Sequence, residues 1–413
     1  MLSLPDEKLT ELSQHYGTPL WLYDASVIGE RIKSLRMFDV IRFAQKACSN
    51  IHILRLMREQ GVVVDSVSSG EIDRAILAGF NSSGEPAGIV FTADLLDHET
   101  LAKVVALNVE VNAGSIDMLH QLGELHPGHR VWLRINPGFG HGHSNKTNTG
   151  GENSKHGIWH EHLQDALAAI RRHQLHLVGL HMHIGSGVDY HHLAQVCDAM
   201  VTLVRTMGHD IEAISAGGGL SIPYQQHEPR IDTSHYFGLW DQARQRIAQH
   251  LGHPVRLEIE PGRFLVAESG ALLTEVRAVK QMGSNRFVLV DAGFNDLMRP
   301  SMYGSYHGIS IIHRHGQSNA SATSVPTVVA GPLCESGDVF TQRDGGVVAP
   351  RMLPDTAVGD LLVIHDTGAY GASMSSNYNS RPLIPEVLIE GDHSRLIRRR
   401  QTIDELLALE NLG

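Results

Sequence analysis

The sequence has few of the features that mark secreted, membrane-spanning or nucleic-acid-binding proteins. Its 413 residues include only three cysteines, Cys48, Cys197 and Cys334, which are far apart and form no Cys-x-x-Cys pair. Such usage favours a reducing compartment over a disulfide framework. No apolar run approaches the roughly 18 residues of a membrane span, and the N-terminal segment MLSLPDEKLT does not resemble a signal peptide. We therefore expect a cytoplasmic protein.

Excess positive charge is also missing. The chain has 34 Lys and Arg against 45 Asp and Glu, which gives a formal charge of −11. This balance disfavours general binding to nucleic acid or to an anionic membrane. The composition, 42% hydrophobic and 19% charged, excludes a disordered chain and indicates a globular protein of two or three domains.

Short apolar runs alternate with amphipathic helical stretches through the first two thirds of the chain, which predicts parallel strands joined by helices. The predicted helices include 49–60, 97–107, 160–174, 190–208 and 234–250, with Ser49, Asp97 and Ser115 as N-caps. Eight such units suit a (β/α)8 barrel, with a doubly wound open sheet as the competing topology. The eight predicted strands are 41–46, 62–67, 89–93, 108–112, 131–136, 177–183, 213–218 and 255–260.

The pattern changes near residue 267. Runs at 272–280, 287–291, 326–330 and 361–365 are separated by Gly, Pro, Asn and Asp, and a terminal helix is expected only at 402–411. The polar segment 312–325 is expected to be a surface loop. We predict a (β/α)8 barrel domain over 26–266 and a mostly β second domain over 267–413, which residues 1–25 join.

Polar residues gather where the predicted barrel strands end, which is where such barrels carry their chemistry. Seven strands contribute to this rim, so a functional site is favoured over chance. The residues are Lys46, Asp65, Asn112, Asn136, His181, His183, the run Gly217 to Gly219, and Glu260.

Each of these residues also has a simpler interpretation. Lys46 is either a strand-end lysine reaching solvent or a desolvated amine suited to a Schiff base. The glycines 217–219 suit either a tight turn or close approach of backbone N–H groups to a phosphate. His181 and His183 form a His-x-His pair that a metallohydrolase could use, but the first strand offers a lysine in place of that pair, so we expect no metal ion.

Lys46, the segment His183 to Ser186, the triple glycine and the segment Glu260 to Arg263, in this order, resemble the pyridoxal-phosphate decarboxylases of the alanine racemase-like barrel fold. Three blocks in the second domain, 299–303, 331–338 and 368–379, are similar to those of the diaminopimelate decarboxylases. The resemblance covers nearly the whole chain. One departure is His156, which stands where the family often has phenylalanine.

The resemblance implies pyridoxal 5'-phosphate as the cofactor. Lys46 would hold it covalently, His183 would stack on its ring, and Glu260 would contact the pyridine nitrogen. Cys334 would donate a proton to the reacting carbon. The family's phosphate contacts correspond to Ser186, Gly217, Gly218, Gly219, Gly262, Arg263 and Tyr378.

The resemblance further implies decarboxylation of meso-2,6-diaminopimelate to L-lysine and CO2, the last step of lysine biosynthesis, in a homodimer with shared active sites. The distal end of that substrate carries a carboxylate and an ammonium group, so its recognition needs a cation and an anion together. An ornithine- or arginine-type decarboxylase is the alternative, and a metal-dependent barrel hydrolase is a further one. The residues expected at the distal end are Arg263, Arg299, Tyr303, Glu335 and Tyr378.

Overall fold

The computed structural model describes residues 4–139, 150–183, 189–314 and 323–411. Its helices are α1 Asp6–Tyr16, α2 Ala25–Lys33, α3 Ile51–Glu59, α4 Ser69–Ala78, α5 His98–Leu107, α6 Ile116–Leu125, α7 Leu163–Arg172, α8 Tyr190–Met207, α9 Thr233–Leu251, α10 Arg263–Val266, α11 Arg299–Tyr303 and α12 Ile403–Leu407.

Its strands are β1 Leu20–Asp24, β2 Val40–Ala44, β3 Val63–Ser66, β4 Ile89–Ala93, β5 Glu110–Ala113, β6 Arg130–Asn136, β7 Ile158–Trp159, β8 His176–His181, β9 Ala213–Ser215, β10 Arg256–Ile259, β11 Gly270–Met282, β12 Asn285–Val290, β13 Ile309–Ile312, β14 Ser324–Ala330, β15 Gln342–Arg343, β16 Val347–Val348, β17 Arg351–Pro354, β18 Leu361–His365, β19 Glu386–Glu390 and β20 His393–Arg398.

The chain divides into two compact units, of which one, residues 31–221 and 230–264, is a barrel. Its strands follow the order β5-β4-β3-β2-β10-β9-β8-β6, and pairing of β5 with β6 closes the ring. All of these pairs are parallel, and helices separate most successive strands. The prediction of a (β/α)8 barrel is confirmed, and each predicted barrel strand overlaps an observed one.

Side-chain caps start several barrel helices where the sequence indicates them. Asp97 accepts a hydrogen bond from the N–H of Thr100 at the start of α5, and Ser115 caps α6 in the same way. The prediction that Ser49 caps α3 is wrong. The cap is Asn50, whose side chain accepts the N–H of His52, because the chain enters the helix one residue later.

A buried ion pair joins two neighbouring strands inside the barrel. The Arg42 guanidinium of β2 lies 2.8 Å from a carboxylate oxygen of Glu258 on β10, and both side chains are 1% exposed. Arg42 also donates to the carbonyl of Ala87 at 2.9 Å. These bonds satisfy polar groups that the apolar interior would otherwise leave without partners.

The other unit contains residues 1–30, 222–229 and 265–413. Its main sheet has the strand order β17-β14-β12-β11-β1-β19-β20, and β18 pairs with both β11 and β13. β1 runs antiparallel to β11 and parallel to β19. Apolar side chains of α1, β1, β11, β18 and β19 form a shared core, so the N-terminal residues are part of this unit's fold.

The mostly β character of the second half is confirmed, although the sequence predicted only part of its sheet. The four predicted runs correspond to β11, β12, β14 and β18, and β13, β17, β19 and β20 were missed. Within the predicted loop 312–325, Ile312 ends β13 and Ser324 begins β14, and residues 315–322 lie outside the described residues. The terminal helix α12 is shorter than predicted and begins with a capping box of Thr402 and Glu405.

Among the residues that the structure describes, no helix is long and apolar enough to cross a lipid bilayer.

Candidate active site

Lys46 lies directly after β2, in a 3-10 turn formed by Gln45–Ala47. Gln45 anchors this turn, because its buried side-chain amide donates to Ser66 Oγ at 2.6 Å and to the carbonyl of Glu71 at 3.0 Å. The Lys46 side chain is exposed. Of the two interpretations of Lys46, this exposure fits a strand-end lysine that reaches solvent, because the chain leaves the strand at Gln45 and the next side chain points out of the packed interior. The chemical role of its amine stays a prediction.

Asp65, near the end of β3, is a buried carboxyl group close to that amine. Burial raises the pKa of Asp65, the negative charge of Glu260 raises it further, and the positive charge of Lys46 acts in the opposite direction. Its Oδ1 atom is buried and has no hydrogen-bond partner among the described residues. Carboxyl groups with raised pKa values cluster at functional sites, so Asp65 is a candidate member of this one.

Glu260 follows β10 and is held by His181 at the end of β8. His181 Nε2 lies 2.7 Å from Glu260 Oε2, with side-chain exposures of 1% and 8%. Burial acts to raise the pKa of Glu260, but the charge and hydrogen bond of His181 and the charges of Arg42 and Arg134 outweigh it, so the pKa is lowered. Glu260 is therefore a carboxylate at neutral pH. The sequence placed His181 at this rim, on the same side of the strand as His183, but gave it no partner and no role toward the cofactor.

His183 presents a neutral imidazole ring. Burial, followed by the positive charges of Arg134 and Lys46, lowers its pKa well below the ordinary value. The backbone N–H of Gly218 donates to His183 Nδ1 at 2.9 Å, so the ring proton is on Nε2. The rings of His183 and His181 are stacked, with centroids 6.5 Å apart.

These contacts also concern the alternative in which His181 and His183 would bind a metal ion. One nitrogen of His181 contacts a carboxylate, and one nitrogen of His183 accepts a backbone N–H. Across the described ranges of the chain, no group of three or more His, Cys, Asp or Glu side chains is arranged to hold a metal ion.

The triple glycine forms a tight contact with the same histidine. Gly217 and Gly219 have φ of +61° and +106°, in the left-handed region that other residues rarely adopt. A Cβ on Gly217 would lie 2.3 Å from the carbonyl oxygen of Met182, and one on Gly218 would lie 2.6 Å from that of Glu260. Only glycine lets the backbone approach the ends of β8 and β10 this closely.

Gly262 links the segment after β10 to the turn that carries Lys46. A Cβ on Gly262 would lie 3.3 Å from the Cβ atoms of Ala44 and Ala47. Arg263, which begins α10, is partly buried. Ser186 lies in the range 184–188, outside the described residues.

The structure adds a second polar group to the barrel site that the sequence analysis did not use. Arg134 on β6 is 9% exposed, and its charge lowers the pKa of His183 and of Glu260. His156, where the sequence departs from the pattern of the resemblance, has its Nδ1 2.6 Å from Asp94 Oδ2. The sequence did carry a signal for Arg134, because an arginine is unusual within an apolar strand.

In the other unit, the loop that carries Cys334 and Glu335 is exposed and is tied down by a buried aspartate. Asp338 accepts the backbone N–H of Leu333 at 2.8 Å and that of Phe294 at 2.7 Å. Burial raises the pKa of Asp338. The Cys334 thiol is free, and both Cys334 and Glu335 are exposed.

Tyr378 lies beside this loop. Its ring stacks on Phe294 with centroids 5.4 Å apart, and the next residue, Asn379, accepts the backbone N–H of Cys334 at 3.0 Å. The structure thus brings Cys334 and Tyr378 together within this unit. Asn379 was missed as a site residue, although it belongs to the block that carries the resemblance.

Arg299 begins α11 and is 6% exposed. Its guanidinium donates to the hydroxyl of Tyr224 at 3.0 Å and to Ser305 Oγ at 3.2 Å, and it lies 3.0 Å from His307 Nε2. Tyr303, at the end of the same helix, is partly buried. Neither Tyr224 nor His307 was predicted.

Known proteins match the chain along its length. The sequence profile of a family described as "Pyridoxal-dependent decarboxylase, pyridoxal binding domain" matches residues 28–267. The diaminopimelate decarboxylase of Escherichia coli strain K12 is 68% identical over 409 residues, which cover 99% of this chain and 97% of that protein. A solved structure described as "Crystal structure of diaminopimelate decarboxylase" has a TM-score of 0.97 at 68% identity and covers 99% of this chain and 97% of its own.

A more distant structure has a ligand in its description. The diaminopimelate decarboxylase from Helicobacter pylori, complexed with L-lysine, has a TM-score of 0.85 at 33% identity, with 97% of this chain and 98% of that chain covered. At these identities and coverages, the chain belongs to the pyridoxal-dependent decarboxylases, in the group of the diaminopimelate decarboxylases.

Proposed function

We propose that the protein decarboxylates meso-2,6-diaminopimelate to L-lysine and CO2 with pyridoxal 5'-phosphate as its cofactor. The observation that carries this proposal is the buried carboxylate of Glu260, kept ionised by His181 2.7 Å away. A carboxylate at this place can hold a proton on the pyridine nitrogen of the cofactor. An arginine there would leave the ring less electron-withdrawing and would favour racemisation.

Each part of this cofactor has candidate binding residues in the chain. When bound, pyridoxal phosphate supplies a conjugated ring that accepts the electron pair left on the α-carbon when CO2 departs. The exposed Lys46 amine can bind the cofactor's aldehyde carbon. The neutral ring of His183 offers a flat uncharged face, and the glycines at 217 and 218 leave space that a Cβ would fill. Ser186, Gly219, Gly262, Arg263 and Tyr378 serve the phosphate and its neighbourhood.

A second set of residues binds the substrate. Arg299 binds the distal carboxylate through its planar donor fork, and Glu335 binds the distal ammonium group, with Tyr303, Tyr378 and Arg263 assisting. Cys334 donates a proton from its thiol to the carbon that loses CO2, so that one proton enters for each CO2 that leaves. The exposure of Cys334 and Glu335 leaves both side chains accessible to a substrate.

Product analysis tests the reaction. The protein is incubated with pyridoxal phosphate and, side by side, meso-diaminopimelate, ornithine and arginine. Release of lysine from the first substrate only is expected. Turnover of ornithine or arginine would contradict the role of a distal carboxylate, because neither substrate carries one.

We also propose a homodimer in which each active site takes Lys46 from one subunit and Cys334 from the other. The exposed position of the Cys334 loop and the resemblance to the family support this arrangement. Lys46→Ala and Cys334→Ala protomers, each shown to be folded and inactive, are mixed and allowed to exchange. Activity should return toward one quarter of the wild-type value, since one site in a mixed dimer is intact. No recovery in a verified heterodimer would contradict shared sites.

A cytoplasmic location is part of the same proposal. Cys48, Cys197 and Cys334 form no disulfide bond with one another, and a proton-donating thiol at Cys334 must stay reduced, as it does in the cytoplasm. Cell fractionation with an antibody to the protein tests this location, and recovery mainly from an extracellular fraction would contradict it.

A further inference from the structure

The Arg299 guanidinium is held by a set of neutral groups within one compact unit of the fold. The arginine is 6% exposed, and Tyr224, Ser305 and His307 contact its two terminal nitrogens at 3.0 to 3.2 Å. The same guanidinium also lies over the Tyr224 ring, 4.9 Å from its centroid. These three contacts orient the guanidinium through uncharged acceptor atoms.

Tyr224 reaches this position through an excursion of the chain. Residues 222–229 follow barrel strand β9 in sequence, but they belong to the compact unit that contains Arg299. Glu228 holds the excursion in shape, since its carboxylate accepts the backbone N–H of Tyr224 at 2.7 Å. The Tyr224 ring also meets the edge of the His307 ring, with centroids 5.3 Å apart.

The contacts of His307 determine its tautomer. His307 Nδ1 lies 2.9 Å from the carbonyl oxygen of His365, which can only accept, so the ring proton is on Nδ1. Nε2 is then a lone pair facing Arg299, which can only donate. His307 therefore acts as an oriented acceptor for the arginine.

We propose that Tyr224 and His307 are positioning residues that hold Arg299 in the orientation in which it binds the distal carboxylate of the substrate. This inference rests on the proposed function. An arginine side chain has many rotamers, and ordering it in advance removes that entropic cost from substrate binding. The two residues thereby set selectivity for substrates that carry the distal carboxylate.

The test uses the holoenzyme and two inhibitors that differ in one group. L-lysine keeps the distal α-carboxylate, and 1,5-diaminopentane lacks it. Their inhibition constants against meso-diaminopimelate turnover are measured for the wild type, Tyr224→Phe and His307→Leu. Tyr224→Phe keeps the ring under the guanidinium and removes only the hydroxyl. We expect the inhibition constant of L-lysine to rise about tenfold in each variant, the size of one lost hydrogen bond to a charged group, and that of 1,5-diaminopentane to stay unchanged.

Two further measurements separate positioning from general structural damage. His307→Gln places an amide oxygen near the former Nε2 and should recover most of the lysine affinity that His307→Leu loses. In Tyr224→Phe and His307→Leu, the KM for meso-diaminopimelate should rise more than kcat falls, because substrate and transition state make the lost interaction equally. Equal weakening of both inhibitors, or no rescue by glutamine, would overturn the proposal.

An Arg299→Gln variant distinguishes this inference from the function on which it rests. If Arg299→Gln weakens L-lysine selectively while Tyr224→Phe and His307→Leu do not, the positioning role is wrong and the distal-carboxylate role of Arg299 stands. If Arg299→Gln itself leaves lysine affinity unchanged, the assignment of Arg299 in the proposed function fails. Adding Tyr224→Phe to Arg299→Gln should cause little further loss, since the two changes act through one group.

Discussion

Replacing His181 by leucine should destabilise the barrel, because it leaves the buried carboxylate of Glu260 without its nearest partner. His181 Nε2 lies 2.7 Å from Glu260 Oε2, and the two side chains are 1% and 8% exposed. A hydrogen bond to a charged group contributes about 1.5–3 kcal/mol. The charges of Arg42 and Arg134, which also lower the pKa of Glu260, remain in the variant. We therefore expect a loss of about 2–3 kcal/mol in the free energy of unfolding.

Thermal unfolding followed by circular dichroism measures this loss. For a domain of this size, about 1 kcal/mol corresponds to a Tm shift of roughly 2–4 °C, so His181→Leu should unfold about 4–12 °C lower at pH 7. His181→Gln is the matched control, because its amide can still donate to the carboxylate, and its Tm should fall between the two.

The pH dependence of this difference has a definite sign. The pKa of Glu260 is lowered from its usual 4.5 in the folded protein, so its contribution to stability is present above pH 4.5 and is lost as the pH falls through the lowered value. The gap between wild type and His181→Leu should accordingly be full at pH 7 and shrink in acid. A His181→Leu protein that is as stable as the wild type at pH 7 would refute the reasoning.

Three further predictions concern single positions. Because burial and the charge of Glu260 raise the pKa of Asp65, ionising it costs stability as the pH rises. The urea midpoint of Asp65→Asn should therefore rise relative to that of the wild type as the pH goes from about 4 to about 8, between the ordinary and the raised pKa of Asp65, and a difference that is constant with pH would contradict this. Gly217→Ala should lose more than about 1 kcal/mol of unfolding free energy, since its φ is +61° and a Cβ would lie 2.3 Å from a carbonyl oxygen; Gly238→Ala, within α9 and with open space around it, is the control and should not. Asp338→Ala should speed hydrogen exchange at the Leu333 amide, measured by mass spectrometry, because it removes that amide's acceptor, and unchanged exchange would count against the anchoring role.

The strands and helices of the barrel could be predicted because the same local pattern repeats along the chain. Each strand–helix unit carries its own apolar run and often its own cap, as Asp97 does for α5, and these signals act within a few residues of sequence. The second half was harder to predict. Strand β17, for example, is short, contains a proline, and is a strand only because the separate segment β14 pairs with it.

In the candidate site, too, the sequence indicated some features and only the structure showed the others. Motif resemblance pointed to Lys46, Glu260 and Cys334, whereas only the structure shows that the Lys46 side chain is exposed. No local signal connects Glu260 to His181, which lies 79 residues away in sequence.

The sequence by itself determined the order of strands and helices, the types of the reactive side chains and the glycines that must lack a Cβ. These follow from periodicity, residue chemistry and φ preference, all of which act over short stretches of chain. Only the tertiary structure decided which tautomer His307 adopts, which charge keeps Glu260 ionised and how Tyr224 comes to contact Arg299. Each of these depends on groups from separate segments meeting at about 3 Å, and hydrogen bonds and pKa values respond to that distance rather than to separation along the chain.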